Sequence, residues 1–275
     1  MHENSISAIL AYFLAPKENH GLGSAFLETL LQLPEVPPTS KYDLSNAVVK
    51  LEEPLANKKT SGDYYIDIEL ILPLKDLSQG EHWFLIENKI RASAAKETQL
   101  NDYYEAYREK ATEANKKVKI FVVFIAPASN SKKLTEAFNH LKVEPDDASV
   151  RLYWQDKEDK GSVQKVIRDI LKEEAHGKIA PIYEYVKYTL KAFAMHLGQL
   201  NKEETQEASG FTIIRRNKQA FEVYKGDKKV IAKSALREII KDENLGITDI
   251  NMTTYKLGGL VWKALKTKRS RRKNI

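Results

Sequence analysis

Hydrophobic and polar positions divide the chain into segments of two periods. Residues 4–15 and 24–32 carry apolar side chains at helical spacing around a turn at ENHGLG, which predicts two short amphipathic helices. AVVKLEE (47–53) and DYYIDIELIL (63–72) predict strands separated by the polar loop PLANKKTSG. HWFLIENK (82–89) predicts a third strand, and the short connections make the three a meander. A helix is expected over 94–114, where Leu100, Tyr103, Tyr104 and Tyr107 recur at helical spacing. VKIFVVFIA (118–126) is almost wholly apolar, as in a central strand covered on both faces. A helix over 131–141, a strand RLYWQD (151–156) and helices over 161–175 and 179–197 complete this region. Strands interleaved with helices in this order predict an α/β class with a mixed sheet flanked by helices.

GQLNKEETQEASG (198–210) is polar and reads as a linker after a first domain spanning 1–197. Beyond it, GFTIIRR, AFEVYKG and KKVIAK predict three short strands joined at Asn217-Lys218 and Gly226-Asp227. Helices over 234–243 and 253–267 follow, so 211–275 is expected to form a small α+β module.

Charge sharpens this division. The net charge is +6, yet residues 210–275 hold seventeen basic and six acidic side chains, a net +11, which leaves −5 for 1–209. An acidic body with a basic module suggests a polyanion as partner. Candidate contacts are Arg215, Arg216 and Lys218 at one hairpin and Lys268, Arg269, Arg271 and Arg272 in the tail. The alternatives are a solvated, disordered tail, or a module that binds a partner protein through Tyr255, Leu257 and Trp262. With no cysteine, disulfides and thiolate metal sites are excluded. MHENSISAIL has no basic segment ahead of an apolar one, and the longest strongly apolar run is too short to span a bilayer. The expectation is a cytoplasmic protein without membrane contact. The six histidines show no metal-ligand spacing, and no G-x-x-x-x-G-K-[ST] occurs, which argues against nucleotide hydrolysis.

The candidate chemistry lies where the third strand ends. Trp83 to Ile86 are apolar, but Glu87 and Lys89 follow at once, and strand alternation puts both on one face. Burying charge costs several kcal/mol per group, roughly, unless it is paired or holds a metal. Asp67 shares a face of the preceding strand with Tyr65, Glu69 and Ile71, while Ile66, Ile68 and Leu70 take the other side. A hairpin-sized interval sets Asp67 and Glu87 on neighbouring antiparallel strands. Two carboxylates on one sheet face suit a hard cation such as Mg²⁺ or Mn²⁺. Lys89 on that face can balance their charge and hold or deprotonate an attacking water. Gln99 and Tyr103, four apart, share a face of the next helix. Glu69 reads as a structural carboxylate, and the three tyrosines of that helix as packing residues.

Taken in order, Glu3-Asn4 with Ser7, Asp67, Ile86-Glu87-Asn88-Lys89-Ile90, and Gln99-Leu100 with Tyr103 resemble the PD-(D/E)XK nuclease superfamily. The match is to its bacterial subgroup patterned E-N … D … I-E-N-K-I … Q-L-x-x-Y, over about residues 1–195. The usual Pro-Asp of the first signature is Ile66-Asp67 in this chain. The resemblance implies a restriction-endonuclease-like fold and metal-dependent hydrolysis of DNA leaving 5′-phosphate and 3′-hydroxyl ends, in restriction, repair or phage defence. It implies Asp67, Glu87, Lys89 and Gln99 as catalytic residues. The metal ligands would be Asp67, Glu87 and the Asn88 main chain, with a helix glutamate joining through water. Glu3 best matches that glutamate, and Glu28 is its rival. Candidate partners besides DNA are a second copy of the chain or a restriction or defence subunit. The competing expectation is a non-catalytic nucleic-acid-binding or protein-interaction member of the same fold.

Overall fold

The computed structural model describes residues 3–56, 63–90, 98–127, 132–155, 161–200, 204–217, 220–225, 228–230 and 232–272. The chain forms two compact units, Met1–Asn201 and Lys202–Ile275.

The first unit opens with helices α1 (Glu3–Leu14) and α2 (Ala25–Leu30), followed by strands β1 (Val48–Ala56), β2 (Asp63–Pro73) and β3 (Glu81–Asn88). Helix α3 (Gln99–Glu113), β4 (Val118–Ala126), α4 (Lys132–Asn139), β5 (Ala148–Tyr153), α5 (Val163–Ala175) and α6 (Glu184–Leu197) complete it. The five strands make one mixed sheet in sequence order. β1, β2 and β3 pair antiparallel as the expected meander, whereas β3, β4 and β5 run parallel. Helices α3 and α4 supply the crossovers that parallel neighbours require. Apolar side chains cover both faces of the sheet. Ile68, Leu70, Phe84, Ile86, Phe121 and Val123 pack with α1, α2, α5 and α6. Trp83, Leu85, Ile120, Val122 and Phe124 pack with α3 and with Leu134 of α4. The burial of β4 from Ile120 to Ala126 explains its near-uniform apolar composition.

Several boundaries differ from the sequence expectation, each for a local reason. β1 runs three residues past Glu53, through Pro54, because an edge strand tolerates a residue that cannot donate to a ladder. β5 begins at Ala148, earlier than expected. α5 starts at Val163, where Ser162 caps it by accepting the Lys165 amide at 2.9 Å. Pro181 holds its predecessor out of the helical region, so α6 starts at Glu184 and not near 179. The expected N-terminal turn of α3, 94–97, lies outside the described residues. Ile66 is buried on the α3 side and not with Ile68 and Leu70, since the ladder to β3 ends at Ile68.

The second unit contains β6 (Glu204–Ala208), β7 (Phe211–Asn217), β8 (Ala220–Lys225) and β9 (Lys228–Lys229) in one antiparallel sheet, then α7 (Ala232–Asp242) and α8 (Thr254–Arg272). Residues 204–208, polar enough to read as linker, form an edge strand instead, where ETQEA needs little apolar content. Ser209 (φ 52°) and Gly210 (φ 75°) make the two-residue turn into β7, both left-handed as a type I′ hairpin requires. Among the described residues of KKVIAK, Lys228 and Lys229 form the strand, and Ala232 already begins α7. Its apolar run is too short to fix a period. Phe211, Ile213, Val223, Leu236, Ile239, Leu257, Val261 and Trp262 form the core of this unit. A side chain on Gly258 would meet the Phe221 ring at 2.6 Å, so glycine permits α8 to lie this close to β8. Leu257 and Trp262 are therefore packing residues and not a partner-binding surface, whereas Tyr255 is exposed. α8 continues five residues beyond its expected end and carries the backbone of 268–272 in helix.

Candidate metal and hydrolytic site

The β2–β3 ladder pairs Ile68 with Ile86 and stops there. One further step in the same register would set Asp67 opposite Glu87. The β1–β2 ladder likewise skips the Glu52 and Asp67 pair, and Glu52 adopts a left-handed φ of 49°. A non-glycine residue in that region costs on the order of 1–3 kcal/mol, so surrounding contacts must enforce the break. Released from both neighbours, Asp67 accepts the Asn88 amide N–H at 2.8 Å on Oδ2. The opening thus sits at the carboxyl end of β3.

The first turn of α1 meets this opening. Glu3 accepts from the Lys89 ammonium at 3.2 Å and from the Ile90 amide at 3.4 Å. Asn4 donates to Glu52 at 2.5 Å, and Ser7 accepts a short hydrogen bond from the Asn88 side chain. The Lys89 ammonium also donates to Glu87 in a short ion pair. Its backbone is fixed from both sides: the Lys89 amide donates to Ile125 at 2.8 Å, and the Trp154 indole donates to the Lys89 carbonyl at 3.0 Å. Glu3, Asp67, Glu87 and Lys89 are therefore drawn together, with Asn88 linking β3 to α1.

The electrostatics of this group are unbalanced. Burial raises the Glu87 pKa to about 8, with Asp67 adding repulsion and Lys89 only partly offsetting both. Asp67 is pushed up to about 6, again mainly by burial, against the opposing Asn88 N–H and Lys89. Burial acts to lower the Lys89 pKa, but Glu87, Glu3 and Asp67 outweigh it and raise the net value, so the side chain is an ammonium. Glu87 Oε2 is buried without a hydrogen-bond partner among the described residues, as is Asn88 Oδ1. A buried unsatisfied acceptor costs about 1–3 kcal/mol, more when charged. A divalent cation fits this donor set, because it would take up Glu87 Oε2 and relieve the repulsion with Asp67. Among the described residues, no three His, Cys, Asp or Glu side chains already converge as a cage.

Other expected residues lie elsewhere. Gln99 donates to the Tyr103 hydroxyl at 2.6 Å, and that hydroxyl donates to the Tyr65 carbonyl at 2.8 Å. Burial and then the Glu87 charge raise the Tyr103 pKa, which places its hydroxyl within the field of the site. Glu28 accepts from Ser24 at 2.5 Å on its own helix, whereas Glu3 touches Lys89. Lys218 lies outside the described residues, as do the side chains of Arg215, Arg216, Lys268, Arg269, Arg271 and Arg272. Two contributors carried no sequence signal. Trp154 stood in a short strand segment with nothing to tie it to Lys89, and Glu52 appeared as one more polar residue of an edge strand.

A family model of the PD-(D/E)XK nuclease superfamily matches residues 1–208, the whole of the first unit and β6. No curated protein and no solved structure matches the chain. No described helix is long and apolar enough to cross a membrane. With three quarters of its length matched and a mixed five-stranded sheet flanked by helices, the chain belongs to the PD-(D/E)XK nuclease superfamily.

Proposed function

We propose that the chain hydrolyses phosphodiester bonds of DNA in a metal-dependent reaction centred on Asp67, Glu87 and Lys89. The observation that carries this is the buried Glu87 Oε2 beside Asp67, unpartnered among the described residues, where Glu3, Asp67 and Glu87 surround the Lys89 ammonium. Mg²⁺ or Mn²⁺ held by Asp67, Glu87 and the Asn88 main-chain carbonyl would supply a Lewis acid to offset charge developing on the phosphate. Glu3 stands where it can join through water. Lys89 is a hydrogen-bond donor in this arrangement, suited to orient an attacking water. Loss of Glu87 as its partner would make the ammonium more acidic and bring it closer to proton exchange with that water. Gln99 acts at one remove, by orienting Tyr103. A binding-only role would leave the buried carboxylate pair without a purpose. Restriction, repair or phage defence is the proposed setting, in the cytoplasm, and a second copy or a defence subunit is a proposed partner.

Purified protein incubated with plasmid and with single-stranded DNA tests this directly. Cleavage with Mg²⁺ or Mn²⁺, its absence in EDTA and its loss in Glu87→Gln are expected. Metal-independent cutting, or full activity in Glu87→Gln, refutes the assignment.

The basic second unit is proposed to anchor DNA. Residues 1–209 carry −5 and repel phosphate, whereas 210–275 carry +11. Neutralising Lys268, Arg269, Arg271 and Arg272 together to glutamine should lower the salt slope of log K by about 2 to 3. An unchanged slope would make this segment a bystander.

A further inference from the structure

β2 outruns its partner. It pairs with β1 as far as Asp63 but with β3 only from Ile68, so among the described residues β1 and β2 continue as a two-stranded ladder, here called the arm, beyond the β3 pairing. Asp67 stands at the root of that arm. Along β2, cover falls away from Glu69 through Asp67 to Tyr65. Glu69 is fully buried, Asp67 is partly exposed, and Tyr65 is 50% exposed. Opposite Tyr65 on β1 is Pro54, also exposed. The arm therefore presents an aromatic ring beside a flat, uncharged neighbour, about 7 Å along the strand from Asp67. The backbone at this point is held, because the Tyr103 hydroxyl donates to the Tyr65 carbonyl. Most exposed aromatic rings need no explanation, but this one is pinned two residues from a proposed metal ligand.

We infer that Tyr65 is a stacking platform for a base next to the scissile phosphate, and that the favoured substrate has an unpaired base there. This rests on the nuclease function proposed above and narrows its substrate class. An aromatic ring recognises the face of a base, which a phosphate does not offer. In continuous duplex both faces of every base are already stacked, whereas a single strand or a frayed end offers one. Stacking on an aromatic side chain is tolerant of sequence and is worth about 1–3 kcal/mol per base, or roughly 5- to 150-fold in affinity. Tyr65 is half exposed and presents one ring, so about tenfold is the expectation.

Cleavage and equilibrium binding of a fluorescent single-stranded oligonucleotide and of its duplex separate the possibilities. Tyr65→Ala should raise KM and Kd for the single strand about tenfold with kcat nearly unchanged, and leave the duplex values alone. Tyr65→Trp should keep the wild-type KM. Thermal unfolding of Tyr65→Ala should match wild type, since the ring is exposed. A wild-type protein that cuts, beside Tyr65→Ala with unaltered KM, overturns this inference and leaves the nuclease function standing. Cleavage confined to the duplex overturns it as well. A wild-type protein that neither binds nor cuts either oligonucleotide removes both.

Discussion

Two carboxylate clusters are rooted in β2, two residues apart, and they are built on opposite principles. Glu69 is fully buried, yet Lys50 reaches it at 3.0 Å and Lys110 at 2.8 Å. Burial pushes its pKa up, but the two ammonium groups outweigh that and bring it below the usual range. Two cations serve one carboxylate. Around Asp67 the ratio is reversed, since Glu3, Asp67 and Glu87 share Lys89, and both Asp67 and Glu87 are driven upward. In the first cluster each Glu69 oxygen faces its own ammonium, Oε1 through a hydrogen bond from Lys110 and Oε2 through an ion pair with Lys50 that lacks hydrogen-bond alignment, so its charge is balanced and it reads as structure. The second favours added protons or a cation, which is the ground for proposing it as the working site.

The largest effect expected from this contrast is on turnover. Glu87→Gln should lower the rate by at least about 10³-fold, on the order of 4 kcal/mol of barrier, while circular dichroism shows the fold intact. Lys89→Arg should not restore what Lys89→Ala loses, because the larger planar guanidinium cannot take the place of a compact ammonium between Glu87 and Glu3. Glu69→Gln should do the reverse. Removing the acid of a buried ion pair is expected to cost about 3 kcal/mol in denaturant unfolding, with kcat within about threefold of wild type. A Glu69 variant that is stable but inactive would break the distinction between the clusters.

Asp67 allows the contrast to be read as stability against pH. Its folded pKa, about 6, lies above its ordinary value of 3.8. The stability linked to its proton is thus fully present below 3.8 and lost as pH rises through 6. At pH 7.5 without metal, ionised Asp67 is a burden of about 3 kcal/mol. Asp67→Asn should then unfold at higher temperature than wild type, by about 8 °C, and the difference should nearly vanish at pH 4. Added Mg²⁺ should nearly close the gap. A cation at a hundred times its Kd stabilises wild type by about 2.7 kcal/mol and gives Asp67→Asn much less. Equal Mg²⁺ shifts in the two proteins would move the metal away from Asp67.

Much of this site was legible because strands keep a strict period of two. That period groups Glu87 with Lys89, and the short connections predict the meander that makes neighbours of Asp67 and Glu87. Tertiary features carry no such signature. The break in both ladders at Asp67 depends on a left-handed Glu52, which no local residue choice announces. The β6 edge strand is as polar as a linker, and only the Ser209-Gly210 turn distinguishes it. Leu257 and Trp262 sit at helical spacings equally compatible with a core or an exposed face, and only the packing against β7 and β8 decides. Glu3 and Glu28 are each acidic residues in the first turn of a helix, so sequence alone left them as rivals.

That rivalry yields the smallest and most discriminating prediction. Glu3 meets Lys89 at 3.2 Å and the Ile90 amide at a long 3.4 Å, and its side chain is 26% exposed. Contacts of this length and exposure are weak, so Glu3 is expected to position Lys89 and a water, not to supply a primary ligand. Glu3→Gln keeps the size and a hydrogen-bonding oxygen but removes the charge. It should lower kcat about tenfold, about 1.4 kcal/mol, and change thermal stability by less than that. It should also weaken Mg²⁺ dependence less than Asp67→Asn does. Glu28→Gln should leave kcat and metal dependence at wild-type values, because its partner is Ser24 of its own helix. Steady-state rates of the two variants across a Mg²⁺ titration compare them directly. If Glu28→Gln proves the more damaging, α2 and not α1 reaches the site in the active state, and the first turn of α1 loses its role in positioning Lys89.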